Sequence, residues 1–263
     1  MLLMGSGDVS VAVEPEMGGR ITALSVCGRE MILGAEQPGG GSRHHLGWGM
    51  YPMVPFAGRI RDARFTFDGR VHRLQTRMPP HAIHGTVDDV AWEVRERATD
   101  SVTMDRDLGG TWPFRGSVRH HVEVSDDSVS FRLVLTAHDR MPAQVGWHPW
   151  FRRPAIVRDE FDTWLPRGPD GMPGELTGVG LPDINSGVDD CFVSTGRPVR
   201  VKVDGVNLEL SSDCSHWVVY SQDPEGICVE PQSGPPNATA HAPFVLEAGQ
   251  TLDRRFTIEW ISS

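Results

Sequence analysis

The chain has 263 residues, 39% hydrophobic and 23% charged, and its 29 Gly and 20 Pro follow no period. It is long enough to bury a sizeable core without staples, and this composition excludes a disordered, collagen-like or low-complexity chain. Its net charge of −10, from 35 acidic against 25 basic residues, repels phosphate backbones, so neither a nucleic-acid nor a membrane partner is expected.

The first ten residues carry no basic segment and no apolar run of signal-peptide length, and no stretch approaches the ~20 apolar residues of a membrane span. A cytoplasmic chain is expected. Val9, Val11 and Val13 alternate with Ser10 and Ala12, which predicts a half-buried strand. Phe65 and Phe67 lead into Asp68-Gly69, with Val71 and Leu74 after it. Asp-Gly between such runs predicts a hairpin, because a two-residue type I′ turn needs positive φ at both positions. Another hairpin is expected at Asp126-Asp127, between Val122/Val124 and the run Val129, Phe131, Leu133, Leu135. Residues 152–190 are rich in Pro and Gly and poor in alternation, so they read as a long surface excursion that shapes a substrate groove. Asp204-Gly205 repeats the hairpin device, setting Val199, Val201 and Val203 opposite Val206, Leu208 and Leu210. Phe256, Ile258 and Trp260 alternate once more. No segment shows a 3.6-residue stripe over three turns. Strands this frequent predict an all-β antiparallel sandwich or barrel, and no linker divides residues 1–263, which read as a single domain. Cys27, Cys191, Cys214 and Cys228 form no cluster and read as ordinary buried thiols.

The chemistry is not that of the common motif enzymes. There is no H-E-x-x-H, no G-x-S-x-G and no P-loop, and no strand–glycine–helix unit suggests a dinucleotide fold. No metal site is expected from the histidine spacing: His44-His45 and His120-His121 are adjacent pairs that a strand would point to opposite faces. Four segments remain in which polar residues sit among Gly, Pro and aromatics: Pro55-Phe56-Ala57-Gly58-Arg59-Ile60, Ile83-His84-Gly85, Gly146-Trp147-His148-Pro149-Trp150-Phe151, and Cys228-Val229-Glu230-Pro231-Gln232. His148 is either an acid with an apolar wall or a packed core histidine. Glu230 follows the apolar run Ile227-Cys228-Val229; if that strand is buried, the carboxylate must be paired, protonated or functional. A glutamate on a polar face is the alternative.

These segments, with Met17-Gly18-Gly19-Arg20-Ile21 before them, Trp92 after His84, and Val188-Asp189-Asp190-Cys191-Phe192 and Glu230-Pro231-Gln232-Ser233-Gly234-Pro235 later, resemble in order and wording the aldose 1-epimerases, or galactose mutarotases. The resemblance runs over most of the chain. It implies a large antiparallel β-sandwich, the supersandwich, with a site in a concave groove on one sheet. It implies His148 as general acid and Glu230 as general base. It also implies that Arg59, His84 and Asp189, or Asp190 in its place, hold a sugar, with Trp147 or Trp150 against the sugar's C–H face. Gly58 stands where many members carry Asn, and Trp150 where Tyr is frequent; both departures bear on substrate more than on reaction.

The implied reaction opens a pyranose by taking a proton from the C1 hydroxyl and giving one to the ring oxygen, then closes it on the other face. Each positioned acid or base contributes about 10²–10⁴-fold to such a step, and no cofactor is needed. A small-molecule sugar is the expected partner, for a monomer or weak homodimer. Two alternatives stay open. One is a hexose-6-phosphate epimerase of the same superfamily, which needs a cationic subsite drawn from Arg59, Arg61, Arg64, Arg20 or Arg152. The other is a sugar-binding or regulatory protein without catalysis. If Arg59, Arg61 and Arg64 share an extended strand, the first two face one way and Arg64 the other.

Overall fold

In the computed structural model of the chain, residues 1–38, 40–158, 161–174 and 180–261 are described. Two large antiparallel sheets dominate. The first has ten strands. Its order runs Leu2–Ser6, Val9–Glu14, Arg20–Val26, Met50–Met53, Gly146–Arg152, Gly226–Gln232, His216–Tyr220, Asp189–Val193 and Trp164–Leu165, with Arg29–Glu30 beside Arg20–Val26. The second has eight strands, in the order Glu93–Arg97, Ser101–Asp107, Gly116–Val124, Ser128–Ala137, Thr251–Ile261, Val206–Ser212, Val199–Val203 and Ala155–Arg158. The expected all-β antiparallel sandwich is therefore the fold.

The hairpins form where the turn chemistry puts them. Phe67 pairs with Arg70 across Asp68 and Gly69, whose φ values are 48° and 73°. Val203 pairs with Val206 across Asp204 and Gly205, at 44° and 86°. The expected partners match: Val199 with Leu210 and Val201 with Leu208. Around Asp126-Asp127 the hairpin is wider, with Val124 opposite Val129 and the Ser125 N–H donating to the Ser128 carbonyl. Cys27-Gly28 makes a further tight turn between Val26 and Arg29, which leaves Cys27 exposed, whereas the other three cysteines are buried as expected. Among the described residues the α-helix is a single turn, Ala238–His241, and no helix is long and apolar enough to cross a membrane.

The core lies between the sheets. Val11, Val13, Trp147, Phe151, Trp217 and Val229 project from the ten-stranded sheet, and Val122, Phe131, Leu133, Leu210, Phe256 and Ile258 from the eight-stranded one. Phe256 joins the layers, its ring 5.8 Å from that of Trp147 and 6.2 Å from that of Trp217. The outer face of the ten-stranded sheet is covered as well. There the loops between strands bury a smaller apolar cluster of Leu33, Leu46, Tyr51, Met53, Ala57, Ile83, Trp150 and Cys228. A central strand buried on both faces explains why Gly146–Arg152 and Gly226–Gln232 show little polar alternation: only Arg152 among their residues is exposed.

Residues 152–190 are less irregular than their composition suggests. Ala155–Arg158 and Trp164–Leu165 are edge strands, one on each sheet. Parts of that segment, 159–160 and 175–179, lie outside the described residues. The stretch between, around Arg167–Gly174, folds over the covered face of the ten-stranded sheet.

Candidate active site

Strand alternation assembles the centre of the site. In Gly146–Arg152, Trp147 and Phe151 turn into the sandwich, so His148 and Trp150 turn to the opposite face. In Gly226–Gln232, Ile227 and Val229 turn inward, so Cys228, Glu230 and Gln232 turn out. Gly146 pairs with Gln232 and Trp150 with Cys228, a register that sets His148 opposite Glu230. The result is a contact of 3.2 Å between His148 Nε2 and Glu230 Oε1, with both side chains buried. On the other side His148 pairs with Tyr51, whose ring stacks on the imidazole at 4.8 Å and 21°. Trp150 stacks from the next position at 5.6 Å and 20°, its indole N–H held by the Leu46 carbonyl.

The electrostatics of this pair follow from burial. Burial, with the Asp189 charge nearby, pushes the Glu230 carboxyl up to about 8, against a hydrogen bond from Gln232 Nε2 to Oε2 at 3.0 Å. Burial, reinforced by the Arg20 guanidinium, pushes the His148 imidazole down to about 3. Each ionised form is disfavoured where water is excluded. At neutral pH the two groups therefore hold one proton between them. Arg20 is itself buried, its guanidinium 4.6 Å from the Trp48 ring centre and 4.5 Å from that of Tyr51.

His84 arrives from a loop. Its ring stands edge-on to His148 at 4.7 Å, and burial holds its imidazole well below the usual range. The backbone there is special: His84 has φ 58° and Gly85 φ 82°. A Cβ at position 85 would collide with the Val54 carbonyl, so the histidine requires glycine after it. The His84 N–H donates to the Gly58 carbonyl, and Arg59 pairs with Ile83, which brings Arg59 to the same wall. Gly58, at φ 66°, presses against Pro236; any Cβ would fall 2.6 Å from the proline's own. That contact leaves no room here for an asparagine side chain before the arginine.

Asp189 closes the far side. Its Oδ2 makes an ion pair with Arg167 Nη1 and lies 4.0 Å from Arg59 Nη2. Asp190 instead accepts the Arg167 backbone N–H at 2.6 Å, so Asp189 is the carboxylate that meets the cavity. Together these side chains line a cavity of about 350 Å³.

His148, Glu230, Arg59, His84, Asp189 and Trp150 thus all line one cavity. Trp147 is a correction: it is fully buried between the sheets with its indole N–H on His120, because alternation sends positions 147 and 148 to opposite faces. The condition for a shared arginine strand is not met. The chain turns after Ile60 into a 3₁₀ segment, with Asp62 and Ala63 at positive φ, so Arg59, Arg61 and Arg64 share no extended face. Arg167, Tyr51 and Tyr220 escaped the sequence reading. Arg167 stands in the irregular excursion, and the tyrosines sit in strands whose outer face looked no different from their inner one.

The structure also groups metal-capable donors that spacing did not suggest. His84, His148 and Glu230 each offer an atom within 4.8 Å of the others, from separate strands and loops. Buried Nδ1 atoms of His84 and His148 and Oε1 of Gln232 have no hydrogen-bond partner.

Comparison with known proteins bears on the family and the fold. The family model described as Aldose 1-epimerase matches residues 1–259. The uncharacterized protein YphB of Escherichia coli K12 is 22% identical over 244 residues, covering 80% of this chain and 84% of its own. The crystal structure of a candidate aldose 1-epimerase from the same organism superposes with a TM-score of 0.87 at 17% identity, over 99% of this chain and 98% of the other. An aldose epimerase homologue from C. elegans gives 0.84 at 14% identity, over 99% and 98%.

Proposed function

The chain belongs to the aldose 1-epimerase family, and from that premise we propose that it interconverts the α and β anomers of an unphosphorylated hexose. The observation that carries this reading is the buried contact between His148 and Glu230, 3.2 Å apart at the floor of a cavity of sugar-binding size. Ring opening takes one proton from the C1 hydroxyl and returns one to the ring oxygen. A pair that holds one proton has the stoichiometry this exchange needs: once the proton that burial leaves on Glu230 has passed to His148 across their 3.2 Å contact, Glu230 as carboxylate takes a proton while His148 as imidazolium gives one. The pair holds one proton throughout; on closure the roles reverse and that proton returns to where it began. Arg59 donates in a rigid fork and Asp189 accepts, so the two fix the hydroxyls and with them the anomeric centre. Trp150, beside the imidazole, offers an apolar wall to the sugar's C–H face.

Two observations weigh against the phosphate and binding-only readings. Of the five arginines a phosphate could draw on, Arg59 lines this cavity, but Arg61 pairs with Asp170, Arg64 with Asp62 at 3.6 Å, Arg20 lies buried beneath Tyr51, and Arg152 lines a separate groove. A protein that only binds sugar has no use for a buried carboxylic acid against an imidazole, an arrangement that costs stability.

Exchange NMR on equilibrated galactose and glucose tests the proposal directly. Wild-type protein accelerates anomer exchange, and Glu230→Gln, which keeps the shape and removes the base, lowers the rate by about 10²-fold or more with the fold intact. A fully active Glu230→Gln protein refutes the assignment of the base. Because the acid–base pair suffices, dialysis against EDTA leaves the rate unchanged; loss on chelation, restored by a divalent ion, would make the His84, His148 and Glu230 grouping a metal site instead.

A further inference from the structure

The acid–base pair and Asp189 leave part of the cavity's charge unanswered. Two guanidiniums, Arg59 and Arg167, line it together with His148 and Glu230. A single carboxylate, Asp189, stands between them, ion-paired to Arg167 and 4.0 Å from Arg59. The His148–Glu230 pair carries one proton for the chemistry and hence no net charge. The cavity wall is therefore left with a surplus positive charge, in a chain whose net charge is −10. Both arginine side chains are only about a fifth exposed, at 22% and 20%, so water answers that surplus incompletely. A neutral hexose brings only hydroxyl dipoles to such a wall.

We propose that the preferred substrate is a hexuronate, an aldose whose C6 is a carboxylate, bound through Arg59 and Arg167. This rests on the epimerase reading above and names the sugar class for the same site. C6 is carried by the carbon next to the ring oxygen. In the pose this proposal requires, the ring oxygen meets His148 and C6 points to the wall where His84 stands against His148 and Arg59 pairs with Ile83. A carboxylate presents two oxygens in a plane, which guanidinium forks match with paired, charge-assisted bonds. Arg167 is held in place for this. Its backbone N–H is fixed by Asp190, and the turn that follows is tied down by Asp170, which pairs with Arg61 and offers its carbonyl to His81 Nε2 at 3.0 Å. A phosphate dianion fits less well: beyond the two arginines, the mouth is lined by Asp62, Asp170 and Asp190, and its one further arginine, Arg61, is paired.

The experiment is exchange NMR on the full chain at pH 7 with galacturonate, glucuronate, galactose, glucose and glucose 6-phosphate, each at anomeric equilibrium. The expected result is a kcat/KM for at least one hexuronate that exceeds its matching neutral hexose by about tenfold or more. Arg167→Met lowers that ratio, and Arg167→Lys, which keeps the charge without the fork, keeps part of it. Neutral hexoses turned over as well as hexuronates would overturn the inference while the epimerase reading stood. So would glucose 6-phosphate as the best substrate. Acceleration of none of the five would end the epimerase reading itself. The wild-type ratio decides the matter even if the Arg167 variants fail to fold.

Discussion

At the level of single residues, the cavity withholds water from two groups that would otherwise ionise independently. Glu230 is pushed up to about 8 and His148 down to about 3, so the singly protonated pair persists between those values. Above about 8 the pair loses its last proton and has no acid to give the ring oxygen. Below about 3 it gains a second and has no base for the C1 hydroxyl. The log of kcat/KM for a neutral aldose is therefore flat from about pH 4 to 7 and falls with a slope of one above about 8. A rate that instead rises through pH 6–7, as an ordinary solvent-exposed histidine base gives, would show that the two groups titrate separately. Arg20 belongs to the same account: its charge, held behind Tyr51, further disfavours an imidazolium at 148 when no sugar is present.

At the scale of the strand, adjacent positions do opposite work. Trp147 and His148 differ by one residue and face different sides of the sheet, and the same holds for Val229 and Glu230. Prolines interrupt this region: Trp147 pairs with Pro52, and Trp217 with Pro231. Each proline lacks an N–H, which ordinarily bars it from a central strand, and here the exceptions adjoin Tyr51, the neighbour of His148, and Glu230. Trp147→Ala lowers unfolding stability by about 3–5 kcal/mol, as loss of a large core side chain does, while folded protein keeps its KM. Trp150→Ala raises KM with a smaller stability loss. Urea melts and steady-state rates on both variants separate the two, and a raised KM in Trp147→Ala alone would reverse the assignment. This contrast also marks what the sequence could tell. The Asp68-Gly69 and Asp204-Gly205 turns are legible because their chemistry is local, and Glu230 stands out because a carboxylate inside an apolar run needs a partner. The side of the sheet that each tryptophan faces was not legible, because a strand buried on both faces has no polar alternation to read. Arg167 was hidden for another reason: its place depends on how an irregular segment folds back, and no period records that.

At the scale of the whole molecule, a sandwich with a continuous core between its sheets can carry a site whose charges oppose folding. The burial of Glu230 and His148 has consequences for global stability that depend on pH. Glu230 binds its proton more tightly folded than unfolded, so between about 4.5 and about 8 the native chain holds the extra proton and stability falls as pH rises. His148 acts oppositely: between about 3 and about 6.5 the unfolded chain holds more protons, so stability rises with pH. From about 4.5 to 6.5 the two effects cancel, and from about 6.5 to 8 the Glu230 loss stands alone, at up to about 1.4 kcal/mol for each pH unit. Glu230→Gln, which has no proton to lose, removes that decline. Denaturant unfolding of both proteins at pH 6.5, 7.25 and 8 measures it, with the wild-type curve dropping and the variant's staying level. Parallel curves would mean that Glu230 is already ionised in the free protein. The one-proton resting pair would then be wrong, and the alkaline limb of the rate profile would have to come from another group.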